Sequence, residues 1–295
     1  MFSLAVRVAD IWINRRHTGA AEVAIARAAV AERTPVVLVT GGSRGIGAAL
    51  AKRFSAAGHR VTLLARDADA LAATAKEIET VTGQIVRTIA CDLTRPDAIA
   101  VMDSELTRSG SYIDVLMNCA GVGLSGPFAN QAADDIDRLI SLNIAALTQL
   151  THHVLPGMIA RRHGGILNVA SLGGYIPGPN QAAYYASKAY VLSLTEAIAA
   201  ETTGRGVRVC VLVPGPVDTN FHAAMGADTA RYRRLIPSLP ADAVARSAYR
   251  GFMLGQRLIT PGLLTRPALV AMKLLPHPIS IPLIKWLLAR PGMQE

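Results

Sequence analysis

Thr40-Gly41-Gly42-Ser43-Arg44-Gly45-Ile46-Gly47 is the stretch whose reading decides the architecture of this chain. It follows a continuous apolar run, 36–40, that suits a strand buried on both faces, and it leads into a helix expected over 46–57. Gly41 lets the chain turn sharply, Gly45 lets backbone approach a pyrophosphate, and Gly47 lets helix and strand pack closely. The free N–H groups at the start of the helix then face an anion. Taken alone, such a turn is equally compatible with a purely structural role.

Outward from this turn, short β-branched runs alternate with helical stretches. Further strands are expected over 61–65, 85–91, 113–118, 165–170 and 207–213, and helices over 67–80, 96–107, 132–161 and 182–203. A last helix over 241–254 and an edge strand over 258–260 follow. This alternation predicts an α/β fold, a doubly wound and mostly parallel sheet with helices on both faces and the ligand at the carboxyl ends of the strands. At 295 residues and 51% hydrophobic content the chain suits one main domain, placed at 34–261 with a substrate lid at 216–240. Residues 1–33 read as a helical arm broken near 17–19, and 262–295 as an apolar and basic tail.

Thirty basic and 21 acidic residues give a formal charge of +9, but the cations are dispersed and few aromatics lie among them. That pattern argues against a nucleic-acid surface. A polyanionic cofactor, an anionic membrane surface or an ordinary soluble surface each accommodates the excess. Cys91, Cys119 and Cys210 match no metal-ligand spacing, so they are expected as buried free thiols and no metal is expected. No apolar stretch reaches the ~20 residues of a spanning helix, and no secretory leader is read at the start. The expected location is cytoplasmic.

Two groups of residues point to chemistry. An NAD site usually ends the second strand with a carboxylate for the ribose 2′-OH. Here the strand runs into Arg66, Asp67 lies one position later, and Arg44 sits beside the glycine turn. Two guanidinium groups suit a 2′-phosphate, which favours NADP(H) over NAD(H). The second group is Ser171, after the fifth strand, with Tyr184 and Lys188 one helical turn apart on the next helix. An ammonium near a phenol stabilises the phenolate and moves its pKa toward the working range. Ser171 can donate to a carbonyl oxygen as charge develops there. Tyr185 competes for the acid role, but only Tyr184 has a lysine four residues on.

The T-G-x-x-x-G-I-G turn, Ser171 thirteen positions before Tyr184, Asp92, Asn118-Cys119-Ala120-Gly121, Asn143 and Pro214-Gly215-Pro216-Val217-Asp218-Thr219 come in one order over 36–219. In this the chain resembles the short-chain dehydrogenase/reductase family, in its NADP(H)-preferring group. The resemblance implies a Rossmann-type sheet of about seven strands and a carbonyl reductase or alcohol dehydrogenase. It implies that Tyr184 gives the proton, that Lys188 also holds the nicotinamide ribose, and that Asn143 holds a water in the proton relay. Asn118 and Gly121 would line the adenine-ribose side, Asp92 would contact the adenine, and Val217 and Thr219 would fix the carboxamide. Ser43, Ile46, Leu93, Ala120, Pro214 and Gly215 complete the implied cofactor set. The family usually has a second Asn where this chain has Cys119, a change expected to affect packing more than chemistry. Assembly as a dimer or tetramer through the helices at 132–161 and 182–203 is implied as well.

Phe221, Met225, Tyr232, Leu235 and Ile236 in the lid suit a bulky, lipophilic substrate or simple packing under the loop. In the tail, Pro267, Pro276, Pro278, Pro282 and Pro291 break Leu-rich segments carrying Arg266, Lys273, Lys285, Trp286 and Arg290. A lid over the site, a dimer contact and a peripheral membrane contact all fit. The tail and Pro261-Gly262-Leu263-Leu264 loosely resemble family reductases acting on acyl chains, steroids or retinoids. An epimerase or dehydratase is disfavoured by the form of the glycine turn. A non-catalytic NADPH-binding sensor is disfavoured by the presence of all four of Asn143, Ser171, Tyr184 and Lys188.

Overall fold

The computed structural model describes residues 19–262 and 265–289. Residues 1–18 of the expected arm, Leu263, Leu264 and the tail from Arg290 onward lie outside the described residues. The described part of the arm holds one helix, Ala20–Ala28, which lies against the helix Leu147–Arg161; there Arg27 Nε donates to the Arg161 carbonyl at 3.0 Å.

The strands are β1 (Thr34–Thr40), β2 (Val61–Ala65), β3 (Val86–Ala90), β4 (Ser111–Asn118), β5 (Gly165–Val169), β6 (Arg208–Leu212), β7 (Val217–Asp218), β8 (Leu239–Pro240) and β9 (Leu258–Ile259). Seven of them form one sheet in the order β3-β2-β1-β4-β5-β6-β9, and every neighbouring pair is parallel. The continuous apolar runs follow from this arrangement. Val37 and Val39 pack with Leu50, Phe54, Leu71 and Phe252 on one face, while Val36 and Leu38 pack with Met102, Leu150 and Met158 on the other. A strand covered on both faces needs apolar side chains at every position. The chain lays down β1 to β3 in one direction and then returns to place β4 beside β1, so a crevice opens at the carboxyl ends of β1 and β4.

Two features depart from the sequence reading. The helix expected over 132–161 is three pieces, Ala133–Ile140, a π turn Ser141–Ala146 that contains Asn143, and Leu147–Arg161. One wide turn barely disturbs an apolar spacing, so the pattern reads as continuous. The lid ends are also pinned: β7 pairs with β8 through Val217↔Leu239 and Asp218↔Pro240. Strands of two residues carry no periodicity to read. Beyond β9 the tail forms two helices, Thr265–Leu274 and His277–Leu288, the second entered from Pro276 without a side-chain cap. Among the described residues no helix is long and apolar enough to cross a membrane, and no group of three His, Cys, Asp or Glu could hold a metal ion.

Candidate active site

The glycine turn is a cradle that larger residues would fill. Gly41 has φ +63°, and a Cβ there would stand 2.9 Å from the Ala120 backbone. A Cβ on Gly47 would lie 2.3 Å from the Gly41 carbonyl, so close helix–strand contact depends on hydrogen at that position. Thr40, which the sequence reading passed over, ties the two loops together: its hydroxyl accepts from the N–H groups of Cys119 and Ala120, each at 3.1 Å. The helix Gly45–Ala56 begins at Arg44 with no side-chain cap. Its first N–H groups therefore remain as donors at the cleft, as a phosphate site requires.

A cleft of about 1030 Å³ runs from this turn across the carboxyl ends of the strands. Gly41, Ser43, Arg44, Gly45, Ile46 and Gly47 line one end. Arg66, Asp92 and Leu93, after β2 and β3, lie on the same side, Ala120 and Gly121 follow β4 in the middle, and Ser171, Tyr184, Lys188, Pro214, Gly215, Val217 and Thr219 line the far part.

At the glycine end, Arg44 stands 3.6 Å from Asp67 and Arg66 stands 3.9 Å from Asp92, all four side chains at least partly exposed. Asp67 is already engaged, because its Oδ1 accepts from Ala70 N at 3.0 Å and caps the helix Ala68–Thr82. Burial pushes the Asp92 carboxyl up, but hydrogen bonds from the Thr94 N–H and hydroxyl, with the Arg66 and Arg95 charges, hold it below its ordinary value. Both arginines thus have loose, solvent-facing partners that are cheap to exchange.

At the far part, Lys188 is buried and its Nζ donates to the Val169 carbonyl at 2.9 Å while standing 5.8 Å from the centre of the Tyr184 ring. Burial pushes its pKa down to about 8, with the Cys119 thiol opposing. Tyr184 is enclosed by Phe221 at 5.6 Å and Tyr185 at 6.1 Å between ring centres. Burial raises its phenol above the ordinary range; a hydrogen bond with Ser171 pulls down, and Tyr232 adds to the rise. The lowering by Lys188 expected from the spacing is not among these causes: the ammonium is engaged by the Val169 carbonyl, and loss of solvent sets the direction. Tyr185 is held differently, its ring lying where a Cβ on Gly178 would stand 2.3 Å away. Burial pushes the Cys119 thiol up to about 12, so it stays protonated beside the lysine.

Two of the expected site residues do not line the cleft. Asn118 is buried, and its Nδ2 donates to Thr151 Oγ1 at 3.1 Å and Asn168 Oδ1 at 2.9 Å inside the sheet. Its amide is used to join β4 to β5 and to the helix behind them. Asn143 uses its side chain as well: Nδ2 donates to the Val122 carbonyl at 2.8 Å and to Ser187 Oγ at 3.1 Å, and Oδ1 accepts from Val122 N at 2.9 Å.

The substrate side was only partly legible. Ile176, Phe221, Met225 and Tyr232 line it from the main domain and lid, and Met272, Ile284, Leu287 and Leu288 line it from the tail. Ser280, Ile284 and Leu288 recur every four residues, a spacing that marks the buried stripe of the last helix. His222 gave no signal in the sequence; its Nδ1 lies 2.7 Å from the Tyr232 hydroxyl, and it lines the cleft. Burial, helped by Arg233 and opposed by a hydrogen bond to the Val217 carbonyl, lowers its pKa from 6.5 to about 4. Between those values the unfolded chain binds a proton that the folded chain refuses. This contribution to stability is complete above about pH 6.5 and is lost as pH falls toward about 4. Denaturant unfolding over that window should show a shallower pH slope for His222→Gln than for wild type, with the slopes converging above neutrality. Parallel slopes would mean that His222 titrates normally in the folded protein.

A sequence profile described as "short chain dehydrogenase" matches residues 35–230. The chain is 39% identical over 201 residues to an uncharacterized short-chain type dehydrogenase/reductase, y4eK, of Sinorhizobium fredii, covering 68% of this chain and 77% of that protein. Against two other curated relatives the match spans 60% and 63% of their length. Among solved structures, a short-chain dehydrogenase from Sphingobium yanoikuyae in complex with NADPH superposes with a TM-score of 0.73 at 32% identity, covering 88% of this chain and 98% of that one. A bulky-bulky ketone specific alcohol dehydrogenase from Comamonas testosteroni superposes at 0.68 with 29% identity, covering 83% and 96%.

Proposed function

The chain belongs to the short-chain dehydrogenase family, and from that premise we propose that it is an NADPH-dependent oxidoreductase interconverting a lipophilic, bulky ketone or aldehyde and the corresponding alcohol. The observation that carries this reading is the group Ser171, Tyr184 and Lys188 in one cleft whose adjoining walls, Ile176, Phe221, Met225, Met272 and Ile284, are apolar. The relatives solved with NADPH and acting on bulky ketones support the cofactor and the substrate class.

The nicotinamide group, when bound, supplies or accepts the hydride. The glycine turn and the uncapped helix start hold the pyrophosphate, and Arg44 and Arg66 hold the 2′-phosphate. Gly121 keeps the middle of the cleft open, since a Cβ there would crowd Asn143 Oδ1 at 3.2 Å and touch Lys188 Nζ. Ser171 donates to the substrate carbonyl oxygen and orients it. Tyr184, kept protonated by its buried setting, gives its phenolic proton to that oxygen as charge develops there. Lys188 stabilises the phenolate left behind and holds the nicotinamide ribose. Asn143 serves the relay by positioning, its side chain holding Val122 and Ser187. The lid and the last helix exclude water. Assembly as a dimer or tetramer through the helices Leu147–Arg161 and Ala182–Glu201 is part of the same reading.

The test is a fluorescence titration of the full chain with NADPH and NADH, followed by NADPH oxidation over a panel running from small to long-chain and polycyclic ketones. Tighter NADPH binding, with turnover rising toward the bulky members, is expected. Turnover confined to small polar carbonyls would overturn the substrate class, and binding with no turnover on any carbonyl would favour a sensor.

A further inference from the structure

The tail carries more apolar surface than the cleft can cover. On the helix His277–Leu288, Ile284 and Leu288 face inward and pack in one cluster with Met225 and Tyr232. Ile279, Leu283 and Trp286 form a second stripe on the same helix and are 57%, 47% and 46% exposed. Leu274, which ends the preceding helix, is 76% exposed. Single exposed apolar residues are ordinary, but a run on consecutive elements marks a contact surface.

This surface continues into the lid. The Arg231 guanidinium stands 5.3 Å over the Trp286 ring and donates to the Trp286 carbonyl at 3.2 Å, and Leu235 on the same lid helix, Arg231–Leu235, is exposed. The charge around it is mainly positive, with Asp228 the one exposed carboxylate just before the lid helix. Arg233 and Arg234 share that lid helix, and Lys285 is exposed on the tail helix beside the outer stripe. Between Asp242 and Glu295 the sequence has no acidic residue.

We infer that the outer face of the lid and tail helices docks on an anionic phospholipid surface, with the Ile279, Leu283 and Trp286 stripe in the acyl boundary and the surrounding cations on the headgroups. An aromatic and aliphatic stripe flanked by Arg and Lys is what an interfacial helix requires. A second copy of the chain fits less well, because a two-fold contact would bring the same cations face to face with Asp228 as the one carboxylate near the lid helix. Ile236, Met272 and Leu287 line the cleft from these same elements, so docking sets the cleft mouth beside the lipid. Only that last consequence, entry of the lipophilic substrate from the bilayer, rests on the proposed oxidoreductase function.

The experiment is co-sedimentation of the full chain with vesicles of phosphatidylcholine alone and of phosphatidylcholine mixed with phosphatidylserine. Binding to the mixed vesicles should be at least about tenfold tighter and should weaken as salt is raised. The double variant Ile279→Glu/Leu283→Glu should lose at least about tenfold of that binding, with thermal unfolding and NADPH titration unchanged. Equal binding to both vesicle types, or binding that survives the double variant, overturns the inference. So does absence of vesicle binding together with a dimer in sedimentation velocity that the double variant breaks, which assigns the face to a second copy. None of these readouts uses turnover, so failure of the lipid surface and failure of the oxidoreductase reading are told apart.

Discussion

Tyr184→Phe should lower kcat by about a thousandfold, within the range that a positioned general acid contributes, while NADPH affinity stays within about twofold. The substitution removes one hydroxyl and leaves the ring against Phe221 and Tyr185, so the wall of the cleft is preserved. The large effect follows from what remains. Ser171 can still orient a carbonyl oxygen, but no other residue of the group can release a proton to it near neutrality. Lys188 is the one alternative donor, with a pKa lowered to about 8, yet its Nζ is turned to the Val169 carbonyl and stands over the tyrosine ring at 5.8 Å from its centre. Tyr185→Phe is the control, expected to change kcat by less than about threefold, because that ring packs over Gly173 and Gly178. Steady-state kinetics with a reactive ketone, alongside fluorescence titration of each variant, separates the outcomes. Normal turnover in Tyr184→Phe would remove Tyr184 from the acid role. The two directions of the reaction should also differ with pH. Ketone reduction uses the phenol in its protonated form, which burial favours, whereas alcohol oxidation needs the phenolate and should rise with pH through the alkaline range.

What could be read from the chain was whatever is local along it. The glycine turn, the strand–helix alternation and the pair Tyr184 and Lys188 are all fixed by spacings of a few residues, and the structure places them at the ends of the same sheet. Asn118 shows where this stops. The register between β1 and β4 shifts between Val36 and Val37, whose partners are Ile113 and Val115. A side chain at the end of β4 therefore cannot be assigned to a face by counting alternate positions. The state of Tyr184 was beyond local reading for a similar reason: the i, i+4 lysine is visible in sequence, but the desolvation that sets the direction comes from distant enclosing residues such as Phe221. The tail is the third case. Its proline-broken, Leu-rich pattern left a lid, a dimer contact and a membrane contact open. Only the packing of Ile284 and Leu288 on Met225 and Tyr232 shows that one stripe closes over the cleft while another faces outward.

Arg44→Ala/Arg66→Ala should reduce kcat/KM for NADPH by about a hundredfold or more and change that for NADH by only a few-fold, reversing the cofactor preference. Each guanidinium offers charge-assisted hydrogen bonds to a phosphate, worth roughly 1.5–3 kcal/mol. In the free protein each has a carboxylate at 3.6 or 3.9 Å in an exposed setting. Exchanging such a pair for a phosphate forfeits about 1 kcal/mol at most. The balance therefore favours the dianion by a margin that two such contacts make large. Stability should be little affected, because the two side chains are 68% and 50% exposed and touch no core cluster. Asp67 decides the opposite outcome. If wild type already prefers NADH and the double variant leaves both cofactors unchanged, the ribose hydroxyls are being read by the carboxylate one position later. Asp67 would then have to serve the ribose while its Oδ1 caps the helix Ala68–Thr82, and Asp67→Asn would weaken NADH binding where the arginine variants did not.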